Sequence, residues 1–185
     1  MNDFYSEDEL RNIPFKHIGE KVQLSKKASI YSPDLIEIGN DVRIDDFCIM
    51  SGSISIGSNV HVAAFSALYG GKAGIIVSNY ANISSRVSIY AVCDDFSGVS
   101  MTNPTIPDKY KHIVNKPVFI GRHVVIGCGC TVLPGITLEE GSVLGAMSLC
   151  KYSTLPWKIY AGIPAKIIKD RSQELLKYEK EFENE

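Results

Sequence analysis

An aliphatic residue recurs at every sixth position through most of this chain, and no other feature limits its fold as tightly. The series runs Ile18, Leu24, Ile30, slips by two residues to Ile38, and continues through Ile44, Met50, Ile56, Val62 and Leu68. It slips by three to Val77, Ile83 and Ile89, then resumes at Ile120, Ile126, Val132, Leu138, Leu144 and Cys150. The fourth residue after each of these is small or β-branched, from Val22 and Ala28 to Ser148 and Thr154, except Asp34 and Lys72 at the slips. Such a period is not the 3.6 of a helix, and it is too sustained for sandwich strands. It predicts an all-β solenoid of short strands and tight corners, three strands to a coil, stacked as parallel ladders around a triangular prism. The glycines that follow aliphatic residues (Gly39, Gly57, Gly121, Gly127, Gly145) and Asn40, Asn59 and Asn79 are expected to take the corner conformations.

A solenoid has open ends that need caps. Ser6 and Glu9 have capping-box spacing and predict a short helix ending before Pro14, within an N-terminal cap of residues 1–17. The solenoid is expected over 18–169. Asp170 and Gln173 have the same spacing ahead of Leu175, Leu176, Tyr178 and Phe182, predicting a C-terminal helix over 170–185. Between Ile89 and Ile120 the period is suspended, so residues at about 95–119 form one long extruded loop. A compact repeat gains no core from such a loop, which points to function.

The balance of 19 basic against 21 acidic residues, net −2 over 185 residues, suits one globular domain. It gives no field for a nucleic-acid backbone. The longest apolar stretch, 124–138, is broken by Gly127, Gly129, Pro134 and Gly135 and falls short of the roughly 20 residues of a membrane span. The acidic N-terminus is unlike a signal peptide, so the expected location is cytoplasmic. Five cysteines without a CxxC argue against a disulfide scaffold or structural zinc. Cys48, Cys93, Cys130 and Cys150 fall on inward positions and read as inert core; Cys128 points outward. The four histidines, His17, His61, His112 and His123, have no paired spacing, so no metal site is expected. His112 and His123 read as surface residues.

The hexads of 18–169, with YAGIPAK at 160–166, resemble the hexapeptide-repeat acyltransferases. The resemblance implies a left-handed parallel β-helix, a homotrimer, and an acyl-CoA co-substrate, acetyl-CoA by default, bordered by the closing G-x-P-A-K. SSRVSIY at 84–90, Asp94 and Asp95, MTNP at 101–104 and IYAG at 159–162 are similar to one branch of that family. This branch acylates the 4-amino group of dTDP-4-amino-4,6-dideoxyglucose for surface polysaccharides. Many sugar O-acetyltransferases of the wider family carry a catalytic histidine where the chain enters its loop. Here Cys93, Asp94 and Asp95 stand there, which suits an amine better than a hydroxyl.

The resemblance implies that Asp94 accepts the amine proton with Ser84 as its hydrogen-bonding partner; Asp95 and His61 are reserves. One position after the inward residue of the middle face come Asp45, Ala63, Ser84, Gly127 and Gly145, with Ala146 alongside. Its bare upper part suits a pantetheine arm, to which the motif adds Ala161. Lys166 and Lys151 are candidates for the 3′-phosphate of CoA. Arg43, His61 and Asn82 stack near the preceding corner; with Tyr90, Asn103 and Tyr110 they are the substrate-side candidates. Three alternatives stay open: Asp94 and Asp95 as a solvated turn pair, an O-acetyltransferase on a sugar hydroxyl, and a non-enzymatic or metal-binding β-helix.

Overall fold

The computed structural model describes residues 3–184 and winds the hexads into a left-handed parallel β-helix. Its first face stacks Ile18, Ile38, Ile56, Val77, Ile120 and Leu138 in register. The second stacks Leu24, Ile44, Val62, Ile83, Ile126, Leu144 and Tyr160, one per coil. The third stacks Ile30, Met50, Leu68, Ile89, Val132 and Cys150. All the residues of the six-residue series are buried except Ile18 and Ile30, which pack partly exposed against the core at its open lower end. That end is covered by helix α1 (Glu7–Arg11), whose Leu10 enters the core. The Ser6–Glu9 capping box is formed as expected.

The two slips are absorbed locally. The first is a short 3-10 turn, Pro33–Leu35, and the second a bulge within the strand Ala67–Val77. Asp34 and Lys72 therefore leave the small-residue ladder, and Ile36 and Ile75 take their places in register with Ile54 and Val118. The corners differ from expectation. Two ladders of left-handed residues turn each coil: Lys21, Asp41, Asn59, Tyr80, His123, Gly141 and Trp157 at one corner, and Phe47, Phe65, Arg86, Gly129 and Met147 at another. Only Asn59 of the expected asparagines is among them. Asn40 and Asn79 instead accept hydrogen bonds through their side-chain oxygens from the N–H groups of Glu20 and Ser58 in the coil below, both at 2.9 Å. The glycines after aliphatic residues serve close approach. A Cβ on Gly127 would lie 2.6 Å from the Ala146 nitrogen.

At the upper end the chain reverses, pairing Lys158–Gly162 antiparallel with Ala165–Asp170. The expected Asp170 capping box is absent because Asp170 lies in that strand, paired with Lys158. Helix α2 is shorter than expected, Leu175–Phe182, and has no side-chain cap. It lies across the corner ladder, where Tyr80 stacks on His123, Arg122 pairs with Glu179 and Glu183, and Tyr80 donates to Glu183 at 3.1 Å. His123, expected at the surface, is thus buried, with its Nε2 3.1 Å from Glu179 Oε2. Cys48, Cys130 and Cys150 are buried thiols; burial pushes Cys48 and Cys150 up to about 11. Cys93 is only half buried, because the chain leaves the prism there. No helix among the described residues is long and apolar enough to cross a membrane.

Candidate active site

Past Tyr90 the third face gives way to an arm. Its base is a hairpin of Val92–Asp94 and Ile113–Asn115, with Val92 opposite Asn115, Cys93 opposite Val114 and Asp94 opposite Ile113. Asn115 Oδ1 accepts from the Ala73 N–H at 3.0 Å, anchoring the hairpin to the bulge of the neighbouring coil. Farther out, Met101 makes a parallel bridge to Lys111, and a 3-10 turn at Asp108–Tyr110 leads into it.

A cleft of about 960 Å³ lies between this arm and the third face. Its floor is the column one position after the inward residues, Ser51, Tyr69, Tyr90 and Leu133, where the Tyr69 and Tyr90 rings stack with centroids 5.1 Å apart. Asp94, Asn103 and Lys111 line it from the arm. Asp94 Oδ2 accepts from the Asn103 backbone N–H at 3.3 Å, leaving most of the carboxylate free to meet a ligand. Asp95 is turned to its own loop, taking the Ser97 N–H and hydroxyl at 2.9 and 2.6 Å; those bonds hold its carboxyl below the usual range. Burial, with Asp94 and Asp95 beside it, pushes the Cys93 thiol up, so it is no activated nucleophile.

A second polar assembly occupies the outer second face. Arg43, His61 and Asn82 stack in register as expected. His61 Nε2 lies 2.8 Å from Asp45 Oδ2, and Arg43 Nε donates to Asp45 Oδ1 at 2.7 Å. Burial works against the Asp45 carboxylate, yet His61 and Arg43 together hold it below the usual range. In the next column Ala63, Ser84, Gly127 and Gly145 each donate a backbone N–H to the coil above. The column Gly127, Gly145 and Ala161, expected to carry the pantetheine arm, is therefore continuous, with Ala146 exposed beside it and Lys166 opposite Ala161 across the terminal hairpin.

Of the sequence candidates, the cleft gathers Tyr90, Asp94 and Asn103. It does not gather Ser84, His61, Arg43 or Asn82, which belong to another face, nor Asp95 and Tyr110, which are not among its lining. Tyr110 is exposed beneath Lys109. Lys151 ends the third-face column, away from the glycine strip, with its ammonium over the Tyr152 ring. Tyr69 and Lys111 join the cleft without being candidates from the sequence. Tyr69 stands one position after the inward Leu68, the place in the hexad that Ser84 and Gly127 hold on the second face, whereas Lys111 lies outside the repeat. A smaller recess of about 340 Å³ between α1 and the first coil is the covered open end of the prism and holds no converging constellation. Among the described residues no cluster of His, Cys, Asp or Glu could hold a metal ion.

Hexad coils wound into a left-handed β-helix, with one arm extruded over a cleft, are the architecture of the hexapeptide-repeat acyltransferases. Within that class the chain belongs to the dTDP-4-amino-4,6-dideoxyglucose acyltransferases. It is 47% identical over 182 residues to dTDP-4-amino-4,6-dideoxy-D-glucose acyltransferase of Escherichia coli, covering 97% of this chain and 94% of that one. It is 49% identical to AntD, an N-acyltransferase from Bacillus cereus solved with dTDP and 3-hydroxybutyryl-CoA, at a TM-score of 0.97 over 100% of this chain and 98% of that one. The S84C form of AntD, in complex with dTDP-4-amino-4,6-dideoxyglucose and coenzyme A, matches at 48% identity and TM-score 0.97, over 100% and 98% of the two chains. No family model matches the chain. Membership in an enzyme family retires the non-enzymatic alternative.

Proposed function

We propose that this acyltransferase moves an acyl group from acyl-CoA to the 4-amino group of dTDP-4-amino-4,6-dideoxyglucose, in the cytoplasm, toward surface-polysaccharide synthesis. The observation that carries the reading is the Asp94 carboxylate, lining a cleft with no imidazole in its walls. A neutral amine is already nucleophilic and needs chiefly placement and a proton acceptor. The amine nitrogen attacks the thioester carbonyl, the C–N bond forms, and the C–S bond breaks. The amine proton passes to Asp94 and on to the departing CoA thiolate. The pantetheine arm lies along Gly127, Gly145 and Ala161 with Ala146 at its side, and Lys166 meets the 3′-phosphate. Tyr90 and Asn103 contact the nucleotide sugar.

The working unit in this reading is a homotrimer with each site shared by two protomers. Ser84 and Asp94 sit on different sides of one prism, so Ser84 of one protomer would complete the cleft of its neighbour. Support comes from the corner beside Ser84, where exposed Phe47 and Phe65 stack at 4.9 Å on neighbouring coils and exposed Met147 lies farther up the same corner, beyond Arg86 and Gly129. The structures of the S84C and D94N forms of AntD show that its investigators altered a serine and an aspartate of the same numbers.

Transfer to a sugar hydroxyl is the second reading, and one observation favours it. His61 with Asp45 is a histidine–carboxylate pair on the outer face, the stronger base a hydroxyl needs. Release of free CoA thiol, followed with acetyl-CoA and 3-hydroxybutyryl-CoA against nucleotide-linked 3-amino, 4-amino and non-amino sugars, tests both. Turnover confined to the 4-amino sugar is expected; equal turnover of a non-amino sugar would overturn N-acylation.

A further inference from the structure

Lys111 is an unusual lysine. Its side chain is only 6% exposed and lines the cleft, yet it pairs with Asp108 at 3.0 Å, a carboxylate whose side chain is 92% exposed. A pair with so solvated a partner contributes little, and an ammonium has three N–H donors. Burying that charge therefore gains little in the ligand-free chain. Among the cleft-lining residues Lys111 is the one cation and Asp94 the one anion.

Asp94 faces Ile113 across the hairpin, and Lys111 lies two residues ahead of Ile113, outside that strand, where it bridges to Met101. Asp94, Ile113 and Lys111 all line the same cleft. A 4-aminopyranose carries its amine and its anomeric oxygen at opposite ends of the ring.

We infer that Lys111 binds the diphosphate of the nucleotide sugar while Asp94 meets its amine, so that the two opposite charges of the cleft select a sugar whose amine lies across the ring from the anomeric carbon. The carboxylate takes the basic end of the substrate and the ammonium its anionic end. A 2-amino sugar, whose amine adjoins the anomeric carbon, does not reach both. This inference rests on the nucleotide-sugar reading above and adds the residue that recognises the nucleotide part.

The test compares K111M, K111R and D108N with the wild type, using dTDP binding by calorimetry and steady-state kinetics on dTDP-4-amino-4,6-dideoxyglucose. K111M is expected to raise KM for the nucleotide sugar, and weaken dTDP, about 10- to 100-fold, the loss of one charge-assisted contact. KM for acyl-CoA should stay unchanged, and K111R should restore most of the affinity. D108N breaks the same ion pair, so a purely structural role for Lys111 requires it to do equal damage. The inference requires KM in D108N to be unchanged or lower. Unaltered KM in K111M, or equal losses in K111M and D108N, would overturn the role of Lys111 while leaving the activity standing. A wild type that neither binds dTDP nor turns over any nucleotide-linked amino sugar would overturn both.

Discussion

Ser84 and Asp94 are ten residues apart and yet lie on different sides of the same coil: Ser84 follows the second-face strand Asn82–Ile83, and Asp94 ends the strand Val92–Asp94 at the base of the arm. If both serve one reaction, they do so across a contact between protomers. An S84A protomer and a D94N protomer, each inactive as a homogeneous preparation, are then expected to regain a fraction of wild-type turnover when unfolded and reassembled together. Mixtures that stay as inactive as their components would place the two residues in separate roles, and light scattering on the wild type checks the trimer itself.

Removing only the proton-accepting capacity at Asp94 should separate chemistry from binding. D94N is expected to lower kcat by about 10²-fold or more, with dTDP and CoA binding, followed by calorimetry, close to wild type. The D94N form of AntD was solved with both dTDP and coenzyme A. A D94N enzyme with undiminished kcat would send the proton elsewhere, His61 being the next candidate.

Helix α2 is held by a charged cluster, and that makes its docking sensitive to acid. Burial opposes ionisation of Glu179, but His123 and Arg122 outweigh it and hold its carboxyl below the ordinary value of 4.5. A carboxylate depressed in the folded state contributes its full stabilisation above its unfolded pKa and loses it as pH falls through the folded value. Thermal melting temperatures should therefore fall on acidification through and below pH 4.5 in the wild type, and less steeply in E179Q. Parallel pH profiles for the two proteins would mean that α2 docks without this pair.

Thiol chemistry follows burial. Cys128 is exposed, Cys93 half buried, and Cys48, Cys130 and Cys150 lie within the core. Ellman's reagent on the native protein is expected to label Cys128 fast, Cys93 slowly and the rest only on unfolding, with C128S losing the fast phase. A fast phase that survives C128S would contradict this order. Protection of Cys93 by bound nucleotide sugar would also report occupancy of the cleft it lines.

The continuous core should respond strongly to cavities. Ile83 is fully buried between Val62 and Ile126. Ile83→Ala is expected to cost about 2–5 kcal/mol in denaturant titrations; a loss near zero would mean the coils close the gap.

The six-residue series made the coils legible because each hexad repeats the same local decision. An aliphatic residue at one position and a small one four later must both turn inward, and neighbouring coils only reinforce that choice. The same logic placed the arm, since a repeat shows plainly where it stops, and aligned Arg43, His61 and Asn82. The corner conformations do not follow residue preference, because the backbone path shared by every coil overrides it and holds Phe47, Tyr80 and His123 in left-handed geometry. His123 and Glu179 meet only because α2 folds back over the prism, and no short-range pattern encodes that. The cleft is of the same kind. Tyr69, Asp94 and Lys111 converge through a bulge, a hairpin and a bridge, none of which the six-residue period describes. Local periodicity therefore determines the scaffold, whereas the charges that would read a substrate are set in place only by tertiary contacts.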